Sequence, residues 1–193
     1  MNQARSSTTL GFALFDSSIG HCGIAWGERG LTGVQLPESD QAGTRARLQR
    51  RFPDCIESLP PPAVQHAIRD LVALLLGEPN QPTDLSNIEL DMQGVPLFSR
   101  RVYAITRAIP PGTTLTYGEI ATRLGDPGAA RAVGQALGHN PFAPVVPCHR
   151  VLAAGGRSGG FSATGGVATK LRMLQIERTR FNGPGLFDDL PRP

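Results

Sequence analysis

The sequence predicts an α+β protein in two units, a small module over residues 1–92 and a helical unit over residues 96–180, followed by a tail at 181–193. Three features point there. Three short apolar segments near the amino terminus are split by turn-forming residues, as antiparallel strands are. From Pro96 onward, apolar residues recur at three- and four-residue steps between helix start and stop signals. Gly94-Val95-Pro96 separates the two patterns.

The strands are expected at about Thr9–Phe15, His21–Trp26 and Leu31–Leu36, joined as a meander through Asp16-Ser17-Ser18-Ile19-Gly20 and Gly27-Glu28-Arg29-Gly30. A polar helix follows over Gln41–Arg51 and breaks at Phe52-Pro53, because proline lacks an amide and restricts the residue before it. After Pro60-Pro61-Pro62, Val64–Leu76 carries apolar residues at helical spacing, with Gly77 and Pro79 as the stop. Ser86–Met92 is expected as a further strand. In the second unit, Phe98, Val102, Ile105 and Ile109 form one apolar helical stripe, which Pro110-Pro111-Gly112 ends. Thr116-Tyr117-Gly118-Glu119 has the capping-box spacing and opens a helix to Leu124. Asp126-Pro127 opens the next, with Pro127 at the first helical position and Ala129, Ala130, Arg131, Val133, Gly134 and Leu137 along it. Two helices joined by a few residues, the second bearing Arg131, describe a helix-turn-helix. A last helix over Val167–Arg178 turns Leu171, Met173 and Leu174 inward and carries Glu177 near its end.

With 40% hydrophobic and 18% charged residues in 193, the chain can bury a core and is not of the disordered class. It lacks the apolar run of about 20 residues that spans a bilayer. Met1–Ser7 does not read as a signal peptide, so a cytoplasmic protein with no membrane partner is expected. Three cysteines are an odd, sparse set, against a disulfide framework. Cys22 sits beside His21, but no other cysteine or histidine lies at zinc-like spacing. Cys22, Cys55 and His66 are therefore read as packed structural residues, and no metal is expected. The net charge of +3 is unevenly spread: residues 1–95 carry −4, residues 96–180 carry +8 and the tail −1. Nearly all the cations are arginine, whose fork fits phosphate, so the second unit is the one expected to meet a polyanion.

The chemistry concentrates in Val145-Val146-Pro147-Cys148-His149-Arg150-Val151. Cys148 offers a nucleophile, His149 a base and Arg150 a positive charge, and nearby cations lower a thiol pKa toward neutrality. Adjacent residues point apart, so Cys148 and His149 are expected to communicate through water. Gly155-Gly156, Gly159-Gly160 and Gly165-Gly166 follow, around Phe161 and Ser162, and would let backbone approach a ligand closely. Glu177 supplies a carboxylate. A Cys-His dipeptide is more often structural than catalytic, and the set also fits a hydrolase of peptides or thioesters.

Tyr117-Gly118-Glu119-Ile120-Ala121, Arg131-Ala132-Val133-Gly134, Asn140-Pro141 and Pro147-Cys148-His149-Arg150-Val151 together closely resemble the O6-alkylguanine-DNA alkyltransferase family, over about residues 96–180. The resemblance implies a ribonuclease-H-like α/β first domain and a winged helix-turn-helix-like second domain that binds double-stranded DNA through the minor groove. Ala129, Ala130, Ala132 and Gly134 would allow the close approach. Arg131 would fill the stack when the damaged nucleotide is flipped out, and Tyr117 would rotate the phosphate or bond the extruded base. Backbone around Val151 and Ser162 would read the base edge. Glu177 would orient His149, which through water would deprotonate Cys148, with Asn140 supporting the turn. The thiolate would take the alkyl group from O6-alkylguanine irreversibly, in one turnover, with no cofactor and as a monomer; O4-alkylthymine is a second candidate substrate. The alternative is a protein that binds the lesion and transfers nothing, a type whose members lack the cysteine. Two departures from the family fall on the alkyl side of the pocket: the loop Phe161–Gly166 is about two residues longer, and Phe161 replaces tyrosine.

Overall fold

In the amino-terminal part, strands β1 (Gly11–Ser17), β2 (Gly20–Gly27) and β3 (Gly30–Gln35) form the expected antiparallel meander through two-residue turns. The computed structural model describes residues 10–77 and 84–179; Thr9, Pro79, the first residues and the tail at 181–193, on which some expectations fell, lie outside that range. Helix α1 (Gln41–Arg51) is capped by the Asp40 carboxylate, which accepts from the Gly43 amide at 2.6 Å, an arrangement worth about 1 kcal/mol. A two-residue strand, β4 (Ile56–Glu57), then pairs parallel to β1 and completes the order β3-β2-β1-β4. It was not expected from sequence, because two residues between turns carry no alternation. Helix α2 (Pro62–Leu76) begins with proline where a missing amide costs nothing, buries Val64, Ala67, Leu71, Leu74 and Leu75, and is capped by Gly77.

Ser86–Met92 is not a strand. It makes one isolated bridge, Leu31 to Leu90, with hydrogen bonds from Leu31 N to Glu89 O and from Asp91 N to Leu31 O. The Arg107 guanidinium takes the carbonyls of Leu85, Ser86 and Ile88, so those groups are withdrawn from any ladder.

Helix α3 (Leu97–Arg107) stops two residues earlier than its apolar stripe, which ran to Ile109, implied. Its fully buried residues are Val102, Tyr103 and Thr106; Ile105 is half-buried, and Ile109 packs from the following turn. Tyr103 is held edge-on to Phe142, with centroids 6.3 Å apart, and its hydroxyl donates to Ala136 O at 3.0 Å. Strand β5 (Leu115–Thr116) leads into α4 (Tyr117–Arg123), whose capping box is complete: Glu119 N donates to Thr116 Oγ1 and Thr116 N to Glu119 Oε2. A 3-10 turn at Pro127–Ala129, capped by Asp126, precedes α5 (Ala130–Gly138). Strand β6 (Val151–Leu152) pairs parallel to β5. Helix α6 (Val167–Ile176) ends two residues before the expected Arg178, which adopts a left-handed φ of 53°. It buries Lys170, Met173 and Leu174, while Leu171 is only half-buried.

One buried cluster includes Ile24, Trp26 and Val34 of the sheet together with Val102, Phe142, Val146 and Cys148. The contact that seats the cysteine segment on the sheet is at Gly33: a side chain there would meet the Phe52 ring at 2.2 Å, and the neighbouring Val34 N donates to Pro141 O at 2.8 Å. The fold is thus a mixed α+β one, and no helix among the described residues is long and apolar enough to cross a membrane.

Candidate active site

Pro147 closes the segment after α5, and Cys148–Arg150 wind into one 3-10 turn rather than a strand. Cys148, His149 and Arg150 are all buried. Asn140 braces the approach to that turn, donating from Nδ2 to Val146 O at 2.8 Å and accepting from Phe142 N at 2.9 Å.

Glu177, the capping residue just after α6, reaches the turn. It accepts from His149 Nε2 at 2.9 Å and from Arg150 Nε and Nη2 at 2.9 and 2.7 Å. Burial alone would raise its carboxyl pKa, but His149 and Arg150 outweigh it and hold the value at about 2. An ionised carboxylate only accepts, so the His149 proton sits on Nε2 and Nδ1 keeps its lone pair. That Nδ1 is buried and has no hydrogen-bond partner among the described residues. Burial keeps the imidazole pKa below its usual value, against the pull of Glu177, so the ring is a neutral base at pH 7.

The thiol departs from the expectation. Burial pushes the Cys148 pKa up, and the neighbouring Asn140 amide and Lys170 ammonium only partly offset this. Arg150, expected to supply charge to the thiol, is instead engaged by Glu177 and by Ile109 O at 2.5 Å. The cation at the thiol is Lys170, whose Nζ donates to Val151 O at 2.6 Å and lies 5.9 Å from the centre of the Tyr117 ring. Burial brings its pKa down to about 8. Lys170 was missed in the sequence, although it is the chain's one lysine and stands three and four residues before the buried Met173 and Leu174. Lysine is the cation whose pKa moves most readily on burial, which was the available signal.

Cys148 opens onto a cavity of about 580 Å3 whose wall includes Tyr117, Ala130, Arg131, Gly134, Phe161 and Ser162. Arg131 is exposed at this wall. Ala129 and Val151 do not line the cavity, and the Val151 carbonyl is occupied by Lys170. Gly159 has a φ of 67° and passes so close to Tyr117 that a Cβ would stand 3.1 Å from the ring, so a side chain there would displace the tyrosine. The loop at residues 161–166 is tied to the amino-terminal part: Thr164 Oγ1 donates to Glu38, which also receives Arg47 at 3.3 Å and the Gln35 amide at 3.2 Å. Of the other residues considered from sequence, Cys22 is sealed in the sheet with its thiol pushed up to about 11 by burial, and Cys55 is half-buried. His66 is not packed; it lies exposed on α2 against Pro62 O. Among the described residues, no three histidine, cysteine or acidic side chains group as a metal would need.

Residues 97–179, which hold this whole constellation, match the DNA-binding domain of 6-O-methylguanine DNA methyltransferases. The methylated-DNA–protein-cysteine methyltransferase of Mycobacterium bovis is 38% identical over 169 residues, 88% of this chain and 93% of its own. The chain belongs to the methylated-DNA–protein-cysteine methyltransferase family. Its fold agrees with solved structures: the O6-methylguanine methyltransferase of Mycobacterium tuberculosis superposes with a TM-score of 0.68 at 36% identity, covering 88% of this chain and 93% of that one. The Mycobacterium tuberculosis OGT crystallised in complex with DNA gives 0.66 at 36% identity, over 86% and 92%. As a methylated-DNA–protein-cysteine methyltransferase, the chain is an enzyme whose acceptor is a cysteine of its own.

The position of Lys170 carries a prediction for such an acceptor. Lys170→Met should move the pH profile of Cys148 alkylation by iodoacetamide upward and slow alkyl transfer at pH 7 by about tenfold, the effect of one pKa unit on a thiolate population. An unmoved profile would leave Lys170 only a structural part.

Proposed function

We propose that this protein repairs double-stranded DNA by flipping O6-alkylguanine out of the duplex and transferring the alkyl group to Cys148, once per molecule. The observation that carries this reading is the buried Cys148 at the wall of a cavity that also includes Tyr117 and Arg131, backed by the Glu177–His149 pair. Helices α4 and α5 act as a helix-turn-helix in a winged second domain over residues 96–180, after a ribonuclease-H-like first domain over residues 1–92. Ala129, Ala130 and Gly134 let α5 approach the groove, and Arg131 takes the place of the extruded nucleotide. Backbone of Ser162 reads the base edge; Val151, which lies off the cavity with its carbonyl held by Lys170, takes no part in that reading. The protein acts as a monomer, and O4-alkylthymine is a second substrate.

The chemistry follows from the geometry. A thiol raised by burial is protonated at rest, so its proton must leave as attack begins. The His149 Nδ1 lone pair accepts it through water, and Glu177 stabilises the imidazolium that results. Lys170 holds the developing thiolate. Sulfur attacks the alkyl carbon, the carbon–O6 bond breaks toward guanine, and Tyr117 or water donates the proton that restores the base. Burial raises the Tyr117 pKa, with a further push from Cys148, so its hydroxyl keeps the proton it must give. The product is a thioether, which a general base cannot hydrolyse, so each molecule works once.

Intact mass after mixing with a duplex containing O6-methylguanine tests the reading. One methyl group added at Cys148, with equal loss of the lesion, is expected; binding with no mass change would make this a lesion sensor. Arg131→Ala should slow repair in duplex DNA on the order of 100-fold while changing reaction with free O6-methylguanine little, since extrusion costs a few kcal/mol that only the duplex demands. Equal losses on both substrates would remove the flipping role.

A further inference from the structure

A second cavity, of about 200 Å3, shares Cys148, Phe161 and Ser162 with the first and extends from them to β3 and α1, where Arg47 and Arg51 line it. No aspartate or glutamate lines it. Arg47 is balanced by Glu38 at 3.3 Å. Arg51 is not balanced in this way: its Nη1 donates to Val34 O at 3.2 Å and Gln35 Oε1 at 2.7 Å, and its Nη2 to Pro141 O at 3.5 Å, all neutral acceptors. Among the described residues, its charge therefore meets no carboxylate. Arg51 is solvent-exposed at the rim of this cavity, and the adjacent Arg47 adds a second positive charge to the same wall, so an incoming carboxylate would meet a guanidinium that no acidic group already holds.

We propose that this cavity receives the far end of alkyl groups that terminate in a carboxylate, and that Arg51 reads that carboxylate, making O6-carboxymethylguanine a favoured lesion. This rests on the alkyl-transfer reading above. A methyl group has no use for a cation on the wall beyond the nucleophile. A carboxymethyl group does, because attack at its methylene carbon brings a thiolate toward a second negative charge. A guanidinium fork beyond the reacting carbon offsets that repulsion and holds the group in line. The cysteine sulfur bonds to the methylene carbon, and the bond from that carbon to O6 breaks with its electron pair going to guanine. A proton from Tyr117 or water completes the base, and the carboxylate is unchanged. The product is S-carboxymethylcysteine at position 148.

Single-turnover rates on duplexes containing O6-methylguanine, O6-carboxymethylguanine and the neutral isostere O6-(carbamoylmethyl)guanine test this. The wild-type protein should transfer carboxymethyl about tenfold faster than carbamoylmethyl, in keeping with a charge-assisted contact that the amide cannot make. Arg51→Met should bring that ratio close to one, and Arg51→Lys should keep most of it. A wild-type ratio at or below one overturns the proposal even if no Arg51 variant folds, and so does a ratio unaltered in a folded Arg51→Met protein. If the methyl group itself is not transferred, the alkyl-transfer reading fails; if methyl is transferred and the ratio is one, this proposal alone fails.

Discussion

Cys148→Ala is expected to abolish alkyl transfer, with the mass of the protein unchanged after incubation with methylated duplex, while affinity for DNA stays within about twofold. The effect is total because no other thiol can substitute. Cys22 is sealed within the sheet, its pKa pushed up to about 11 by burial, and Cys55 lies beyond the far side of β1, next to β4. Removing one sulfur from a buried turn leaves a small cavity, and the loss of stability should be near 1 kcal/mol, too little to unfold the domain. Cys148→Ser separates geometry from nucleophilicity: a hydroxyl at the same place is a far weaker nucleophile, and transfer should fall by more than about 1,000-fold. Residual methyl transfer to the Cys148→Ala protein would place the acceptor elsewhere.

Glu177→Gln should have the next largest effect, on stability and rate together. The Glu177, His149 and Arg150 side chains are 3%, 0% and 6% exposed, so neutralising the carboxylate strands a buried guanidinium. Removing one partner of a buried pair costs about 3–5 kcal/mol. The depression of the Glu177 pKa from 4.5 to about 2 gives a similar figure by a separate route, on the order of 3 kcal/mol. The sign with pH follows. The folded carboxyl is the stronger acid, so its contribution is fully present above the ordinary carboxylate range and is lost as pH falls from about 4.5 toward 2. His149 acts in the same direction at higher pH. Its folded pKa is depressed, so below about 6.5 the unfolded chain binds the proton more readily and stability begins to fall. The wild-type melting temperature should therefore decline on acidification in two overlapping steps, and Glu177→Gln should remove the lower one. Parallel melting curves against pH for the two proteins would refute the assignment. Transfer should slow by about 100- to 10,000-fold, because glutamine no longer stabilises the imidazolium that forms as the thiol gives up its proton.

The meander, α1, α2, α4 and α5 are legible in the sequence to within a few residues, because each is announced by neighbours: a turn between strands, Phe52-Pro53 as a break, Gly77 at an end, Thr116 as a cap, Asp126-Pro127 ahead of α5. It went wrong where distant groups decided. Ser86–Met92 has strand-like composition, yet Arg107 claims its carbonyls from about twenty residues away. The helix stripe that counted Ile109 was a periodicity continued past the point where α3 ends.

The site divides in the same manner. Cys148, His149 and Glu177 were legible as residue types able to do nucleophilic chemistry, and Asn140, Tyr117 and Arg131 only through the family resemblance of the motifs that hold them. The sequence by itself determined which reactive groups exist and which helices and turns carry them, since backbone preference and capping are local. Only the tertiary structure decided what each group is. Twenty-eight residues of separation close between His149 and Glu177, forty-one between Arg150 and Ile109, and ninety between Arg51 and Pro141. These contacts made Arg150 a partner of the carboxylate rather than of the thiol, buried the lone lysine against Val151, and left Arg51 facing a cavity. The physical reason is that a pKa and a charge balance are set by burial and by what lies within a few ångströms, and neither is a property of a residue's place along the chain.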